Sequence, residues 1–143
     1  MGTRSLTIMQ DSFGDHKEIA VLYRQFDGYP AGHGKELADF LSDMVITNGI
    51  GDRRIRSANG GQCLAAQIVA HFKEDVGGFY LCPAGTRDCD EEYRYTVTPT
   101  VEEGITLTVE SGYDKEWKTL WTGKPEDFAA YLKSINELEA QDE

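Results

Sequence analysis

The sequence predicts an α+β domain in which helices pack on an antiparallel sheet, with elements in the order ββααββββα. Two observations carry this expectation. Segments of two-residue alternation gather near the start of the chain and again between residues 79 and 121, whereas residues 35–48, 62–74 and those after Pro125 carry helical stripes. Strands and helices are thus grouped rather than strictly alternating, which favours α+β over α/β architecture.

Residues 4–10 and 18–26 read as two strands joined by Asp11-Ser12-Phe13-Gly14-Asp15-His16, a composition suited to a hairpin loop. The second strand is apolar on both parities, with Ile19, Val21 and Tyr23 on one and Ala20 and Leu22 on the other. Burial on both faces places it centrally in a sheet. Over residues 35–48, Leu37, Phe40, Leu41, Met44 and Val45 form a helical stripe, and Asn48-Gly49 is a stop signal. A loop rich in Gly, Asp and Arg follows over 49–61, then a helix over 62–74 with Leu64, Ala65, Ile68, Val69 and Phe72 on one face. Four strands follow as a meander: Phe79–Cys82, residues 93–98, residues 105–110 and Trp117–Trp121. Pro125 suits a first helical position, Glu126 and Asp127 match the helix dipole, and Phe128, Tyr131, Leu132 and Ile135 give the closing helix its buried stripe. Residues 1–136 read as one domain, and 137–143 as an acidic tail that frays.

Composition narrows the function classes. Hydrophobic residues are 40% of the chain and charged residues 27%, as in a globular protein, and no run of roughly 18 apolar residues suggests a membrane span. The net charge of −11 is uneven: residues 1–62 hold 8 acidic and 7 basic side chains, and residues 63–143 hold 17 and 7. Non-specific nucleic-acid binding needs a basic surface, which this composition does not offer. Five of the seven arginines (Arg4, Arg24, Arg53, Arg54 and Arg56) lie in the near-neutral half, so an anion would bind there. Cys63, Cys82 and Cys89 form no CxxC or His-Cys cluster, so no metal or cofactor is expected, and reduced thiols point to a cytoplasmic setting. A Cys82–Cys89 bridge is the alternative. Asp88-Cys89-Asp90-Glu91-Glu92 lacks the spacing of a calcium loop and reads as a solvated acidic turn.

The most informative stretch is Tyr23-Arg24-Gln25-Phe26-Asp27-Gly28-Tyr29-Pro30-Ala31-Gly32-His33-Gly34. It reads as a strand end, a tight turn, a glycine-flanked loop and a helix start. Free N–H groups at a helix start favour an anion, and flanking glycines let a ligand approach the backbone. Arg24 and His33 would add charge and hydrogen bonds, and Tyr29 a stacking surface. The alternative is a well-formed connection in which Asp27 turns the chain and His33 caps. Arg4 shares the parity of Leu6 and Ile8, and a structural clamp with Asp27 stands against a direct role in the site. The run Asp52-Arg53-Arg54-Ile55-Arg56 reads either as a basic lid or as a surface loop.

Together with Met1-Gly2-Thr3-Arg4-Ser5-Leu6-Thr7, this stretch resembles a family of small proteins of bacteriophages, bacteria and some fungi. Their shared pattern is an N-terminal Gly-Thr-Arg followed by aromatic-Asp-Gly-Tyr-Pro-x-Gly-x-Gly. The resemblance covers about the first 40 residues and brings no established activity. It implies that Gly2, Thr3 and Arg4 belong to one site with Asp27 to Gly34.

Three functions are consistent with these residues. The first is a binding module for a small anionic ligand such as a nucleotide or signalling nucleotide, using Thr3, Arg4, Arg24, Asp27, Tyr29, Gly32, His33 and Gly34. In a phage such a module would suit an inhibitor or sponge in host defence. The second is a small hydrolase-type enzyme built on Thr3, Asp27 and His33, with Asp27 and His33 as an acid–base pair. The third is an interaction or assembly subunit, a homo-oligomer included, with Tyr93, Tyr95, Trp117 and Trp121 either on its surface or in the core.

Overall fold

The computed structural model describes residues 2–49, 56–112 and 116–141. β1 (Ser5–Gln10) and β2 (Glu18–Arg24) form an antiparallel hairpin in which Ser5 lies opposite Arg24 and Ile8 opposite Val21. A single π-type turn, Pro30–Gly34, runs into α1 (Lys35–Leu41). β3 (Val45–Thr47) and β4 (Ser57–Asn59) pair in parallel as a separate short ribbon. Then come α2 (Gly60–Phe72), β5 (Phe79–Pro83), β6 (Tyr93–Thr100), β7 (Gly104–Ser111) and β8 (Lys118–Gly123). A 3₁₀ turn, Pro125–Asp127, leads into α3 (Phe128–Gln141).

The six long strands form one sheet in the order β5-β2-β1-β6-β7-β8. Alternation along each strand divides its side chains between two faces. On one face Met9, Leu22, Tyr95, Val97, Leu107 and Val109 meet Leu37 and Leu41 of α1, Leu64 and Ile68 of α2, and Phe128 of α3. On the other, Leu6, Ile8 and Val21 form a smaller cluster under Tyr23, Cys82 and Cys89. The β5–β6 connection closes that second face: Arg87 pairs with Glu18 at 2.8 Å, and the Glu92 N–H donates to the Arg4 carbonyl at 2.9 Å. Within it, burial pushes Glu91 up, but hydrogen bonds from its own and the Cys89 backbone and from Arg94 outweigh this and hold its carboxyl below the usual range.

The α+β class and, roughly, the element order follow the sequence expectation, with several differences. The four later strands do not form one meander: β6, β7 and β8 do, but β5 pairs with β2 at the opposite edge of the sheet. The sheet is mixed, because β1 and β6 run parallel while the other four pairings are antiparallel. Crossing the second face brings the chain back into the sheet beside β1 and in its direction. Helix α1 is shorter than the 35–48 stripe implied. Asp43 takes a left-handed conformation (φ 60°), and the β-branched run Val45-Ile46-Thr47 continues as a strand, leaving Val45 45% exposed. Its partner strand β4 lies within the stretch expected to be loop. β2 is an interior strand rather than an edge, as expected, and its two faces are covered by the helices on one side and the Leu6–Ile8–Val21 cluster with Cys82 and Cys89 on the other. At the far end, α3 remains helical through Gln141, beyond the expected fray point. Tyr95 lies in the main core and Trp121 packs against it. Trp117 instead lies 3.7 Å from the Arg94 guanidinium on the ring face.

All three cysteines are free thiols. No helix among the described residues is long and apolar enough to cross a membrane. Ser5 and Thr7 are fully buried on the helix-bearing face, and the Ser5 hydroxyl has no hydrogen-bond partner among the described residues. Its Cβ lies directly under Gly28, where a Cβ would approach it to 2.7 Å. An unsatisfied buried hydroxyl costs stability. Ser5→Ala is therefore expected to raise the unfolding free energy by about 1 kcal/mol in urea titration. A loss of stability would show that the hydroxyl is satisfied in solution.

Candidate functional site

Arg24 ends β2 on the helix-bearing face, in step with Leu22. A charge in that position needs partners from several directions. Its Nε donates to the Phe26 carbonyl at 2.7 Å, and its Nη1 meets Glu36 Oε2 at 2.6 Å and His33 Nδ1 at 3.1 Å. Phe26 and Phe79 lie against the guanidinium, with ring centroids 5.3 and 4.9 Å from Cζ. The side chain is only 5% exposed. Its Nη2 has no hydrogen-bond partner among the described residues.

His33 is fully buried, with ring centroids 4.9 Å from Phe72 and 5.0 Å from Tyr95. Because a guanidinium can only donate, Nδ1 accepts from Arg24 and the ring proton sits on Nε2. That proton is directed at Thr7 Oγ1, 2.7 Å away. Burial, reinforced by the Arg24 charge, pushes the imidazole pKa down to about 3. His33 is thus a neutral linker between β1 and Arg24 across the working range of most proteins.

The turn before α1 is held as tightly. Asp27 has φ 57°, and its carbonyl accepts from the His33 N–H at 2.8 Å. The Gly28 N–H donates to the Thr3 carbonyl at 2.9 Å, and the Gly28 carbonyl accepts from the Tyr95 hydroxyl at 2.6 Å. Burial raises the Tyr95 phenol well above its ordinary pKa, with Tyr93 adding to the effect. The glycines are required by packing. A Cβ on Gly32 would stand 2.5 Å from the Asp27 carbonyl oxygen, and one on Gly34 would stand 3.0 Å from the Phe128 ring. The Gly32 and His33 N–H groups bond within the turn, to the Tyr29 and Asp27 carbonyls.

These placements divide the residues singled out in the sequence. Arg24 and His33 form one buried unit, and the backbones of Thr3, Asp27, Gly32 and Gly34 build the turn beside it. The structure does not assemble an Asp27–His33 side-chain pair. Arg4 is not clamped to Asp27; it pairs with Asp90 at 3.7 Å, in the connection that covers the second face. The parity of Arg4 follows Leu6, so the hairpin carries it away from Arg24. Tyr29 is 41% exposed and looks onto a different cleft. Arg53 and Arg54 lie outside the described residues.

Arg24 stands at the margin of a cleft of about 640 Å³ between α1, α2 and the ends of β2 and β5. Phe26, Phe40, Phe72 and Phe79 line it, together with Arg56 and His71. Phe40 and His71 stack at 4.2 Å and 19° between ring planes, and the Arg56 guanidinium lies 5.7 Å from the Phe40 centroid. Arg56 is anchored by donating to the carbonyls of Ser42, at 3.0 Å, and Phe40. Glu36, Asp39 and Glu74 add carboxylates, Glu36 already bound to Arg24 and Asp39 to Lys35 at 2.7 Å. Phe40, His71 and Phe79 were not evident as site residues, since each fits a buried stripe or surface position equally well. A signal was present in Arg24 itself, a charge in an apolar strand that demands partners.

Among the described residues no group of three or more His, Cys, Asp and Glu is placed to hold a metal ion. The chain matches no family model, no curated protein and no solved structure.

The depressed His33 pKa predicts a specific pH dependence. In the unfolded chain the imidazole takes up a proton below its ordinary value near 6.5, whereas in the fold it stays neutral to about 3. The unfolded state then binds more protons in this window, so stability falls as pH drops through it. Between pH 7 and 5 the His33 contribution lost is about 2 kcal/mol. Urea unfolding at both pH values should show that loss in the wild type and not in His33→Gln. Equal pH dependence in the two proteins would contradict a buried neutral imidazole.

Proposed function

We propose that the protein is a binding module for a small ligand that combines a flat ring with an anionic, oxygen-rich group, a nucleotide being one such molecule. The observation that carries this reading is the Arg24 guanidinium. It is held by Phe26, His33, Glu36 and Phe79 and nearly buried, yet its Nη2 has no hydrogen-bond partner among the described residues, and it lines a cleft rich in aromatic rings. An immobilised guanidinium loses little conformational entropy on accepting an oxyanion, and its planar fork fixes the angle of approach. Arg56 supplies a second cation in the cleft, and the stacked Phe40–His71 pair offers a ring face. Glu36 offsets the Arg24 charge, so the contact rests on directed hydrogen bonding more than on net charge. The site proposed is this cleft, because the N–H groups of the glycine turn are bonded within the turn.

Thermal-shift titration with nucleoside mono-, di- and triphosphates and with aromatic carboxylates tests the reading. A ligand at a hundred times its Kd should add about 2.7 kcal/mol of stability and raise the melting temperature accordingly. Arg24→Lys keeps the charge and loses the fork, and is expected to weaken binding about tenfold or more. Arg56→Ala, at an exposed position, gives an independent reduction should Arg24→Lys fail to fold. No shift with any of these ligands, and none retained on purification, would end the proposal.

A further inference from the structure

Glu74 is the one charged side chain lining the arginine cleft that has no hydrogen bond or ion pair among the described residues. Glu36 is committed to Arg24, Asp39 to Lys35, and Arg56 to the Ser42 and Phe40 carbonyls. The adjacent Lys73 does not neutralise Glu74, because its ammonium donates to the Gly77 and Phe79 carbonyls at 3.0 and 2.9 Å. Glu74 also lines a smaller adjoining cleft of about 190 Å³, and Phe26, Phe72 and Phe79 line both. The Arg24 guanidinium lies against two of these rings, Phe26 and Phe79. An unpaired carboxylate and a fixed guanidinium thus share one aromatic surface. By contrast, the cleft that Tyr29 looks onto, of about 450 Å³ between α3 and β8, has no charged side chain in its lining.

We propose that the ligand of the arginine cleft is zwitterionic, an aromatic molecule with an oxyanion for Arg24 and an ammonium for Glu74. The inference rests on the ring-and-anion site proposed above and names the ligand class that site takes. Charge balance is the first support. Arg24 and Arg56 stand against Glu36, Asp39 and Glu74 in the lining, so the cleft holds no surplus of positive charge for a polyanion. Counting Lys35, which pairs with Asp39, brings the balance only to neutral. A polyphosphate would be repelled by Glu74, whereas an ammonium is attracted. Hydrogen bonding is the second support. An ionised carboxylate accepts and cannot donate, so its complement on the ligand is an N–H group, and a cationic one bonds more strongly. The phenyl rings that line the cleft with Glu74 favour a cation as well.

The test is an NMR titration of the full chain with two matched pairs of ligands at neutral pH and low salt. Within each pair an ammonium takes the place of a methyl group of similar size. The first pair is para-aminomethylbenzoate and para-ethylbenzoate; the second is tyramine phosphate and para-propylphenyl phosphate. Saturable amide shifts are expected at Phe40, His71, Glu74 and Phe79 with all four. The ammonium member of each pair should bind about three- to fivefold more tightly, the size of an exposed ion pair. Glu74→Gln, a change at an exposed position, should cancel that preference without weakening the two ammonium-free ligands. Equal affinity within the pairs, or a preference that survives Glu74→Gln, would overturn the zwitterion and leave the ring-and-anion site standing. No binding by these four at millimolar concentration, where a nucleoside triphosphate does bind, would have the same consequence. No binding by any ligand of either titration would end both.

Discussion

A guanidinium held inside the fold is the interaction from which the rest of this site follows. Arg24 is carried to the helix-bearing face by the same alternation that buries Leu22. Left alone there, its charge would cost several kcal/mol. Glu36 answers the charge at 2.6 Å, His33 takes a second contact, the Phe26 carbonyl takes a third, and two phenyl faces fill the space around it. Each partner comes from a different element, so satisfying Arg24 fixes the β2 end, the turn, α1 and β5 relative to one another. The neutral imidazole is part of this solution: a charged one would place two cations 3.1 Å apart in a buried setting.

The turn that supplies His33 is held by a parallel set of constraints. Gly28 is pinned between the Thr3 carbonyl and the Tyr95 hydroxyl, and it packs on Ser5 closely enough to exclude any side chain. Gly32 and Gly34 let the chain fold back on Asp27, Tyr29 and Phe128. The glycines therefore act on packing, and the side chains on either flank line the two clefts. One flank presents Arg24 to the aromatic cleft between α1 and α2, and the other presents Tyr29 and Pro30 to the cleft under α3. The turn is a shared wall.

Much of the fold was legible because it rests on patterns that one segment can display. The alternation of Tyr93, Tyr95 and Val97, and the stripes Leu64-Ile68-Phe72 and Phe128-Leu132, record burial locally. The parallel pairing of β1 with β6 could not be read in this way, since alternation is the same for either direction. Likewise the 35–48 stripe continued to fit Met44, which is buried after α1 has ended, although the next stripe position, Val45, is exposed on β3. Arg24 and His33 both stood out in one segment, but their contact with each other was not visible, nor was the internal bonding of the turn N–H groups. Arg4 illustrates a different limit. Its parity was read correctly from the sequence, but which layer covers that parity is decided by the β5–β6 connection, some 85 residues along the chain.

The two halves of the charge distribution gain a physical sense from this arrangement. Among the described arginines of the near-neutral half, Arg24 is matched by Glu36 and Arg56 is held by backbone carbonyls. An anion reaching the aromatic cleft would meet donors fixed in direction but little long-range attraction, and at physiological salt an exposed field would be screened within about 8 Å in any case. Recognition there must come from geometry at contact. The acidic half supplies most of the other cleft, whose lining among the described residues holds no charged side chain. The two clefts that the turn helps to line thus differ in kind: one combines aromatic rings with Arg24, Arg56 and carboxylates, and the other is lined by tyrosine and aliphatic side chains. The turn beside both is held by backbone bonds to Thr3, by the Tyr95 hydroxyl of β6 and by its own internal hydrogen bonds.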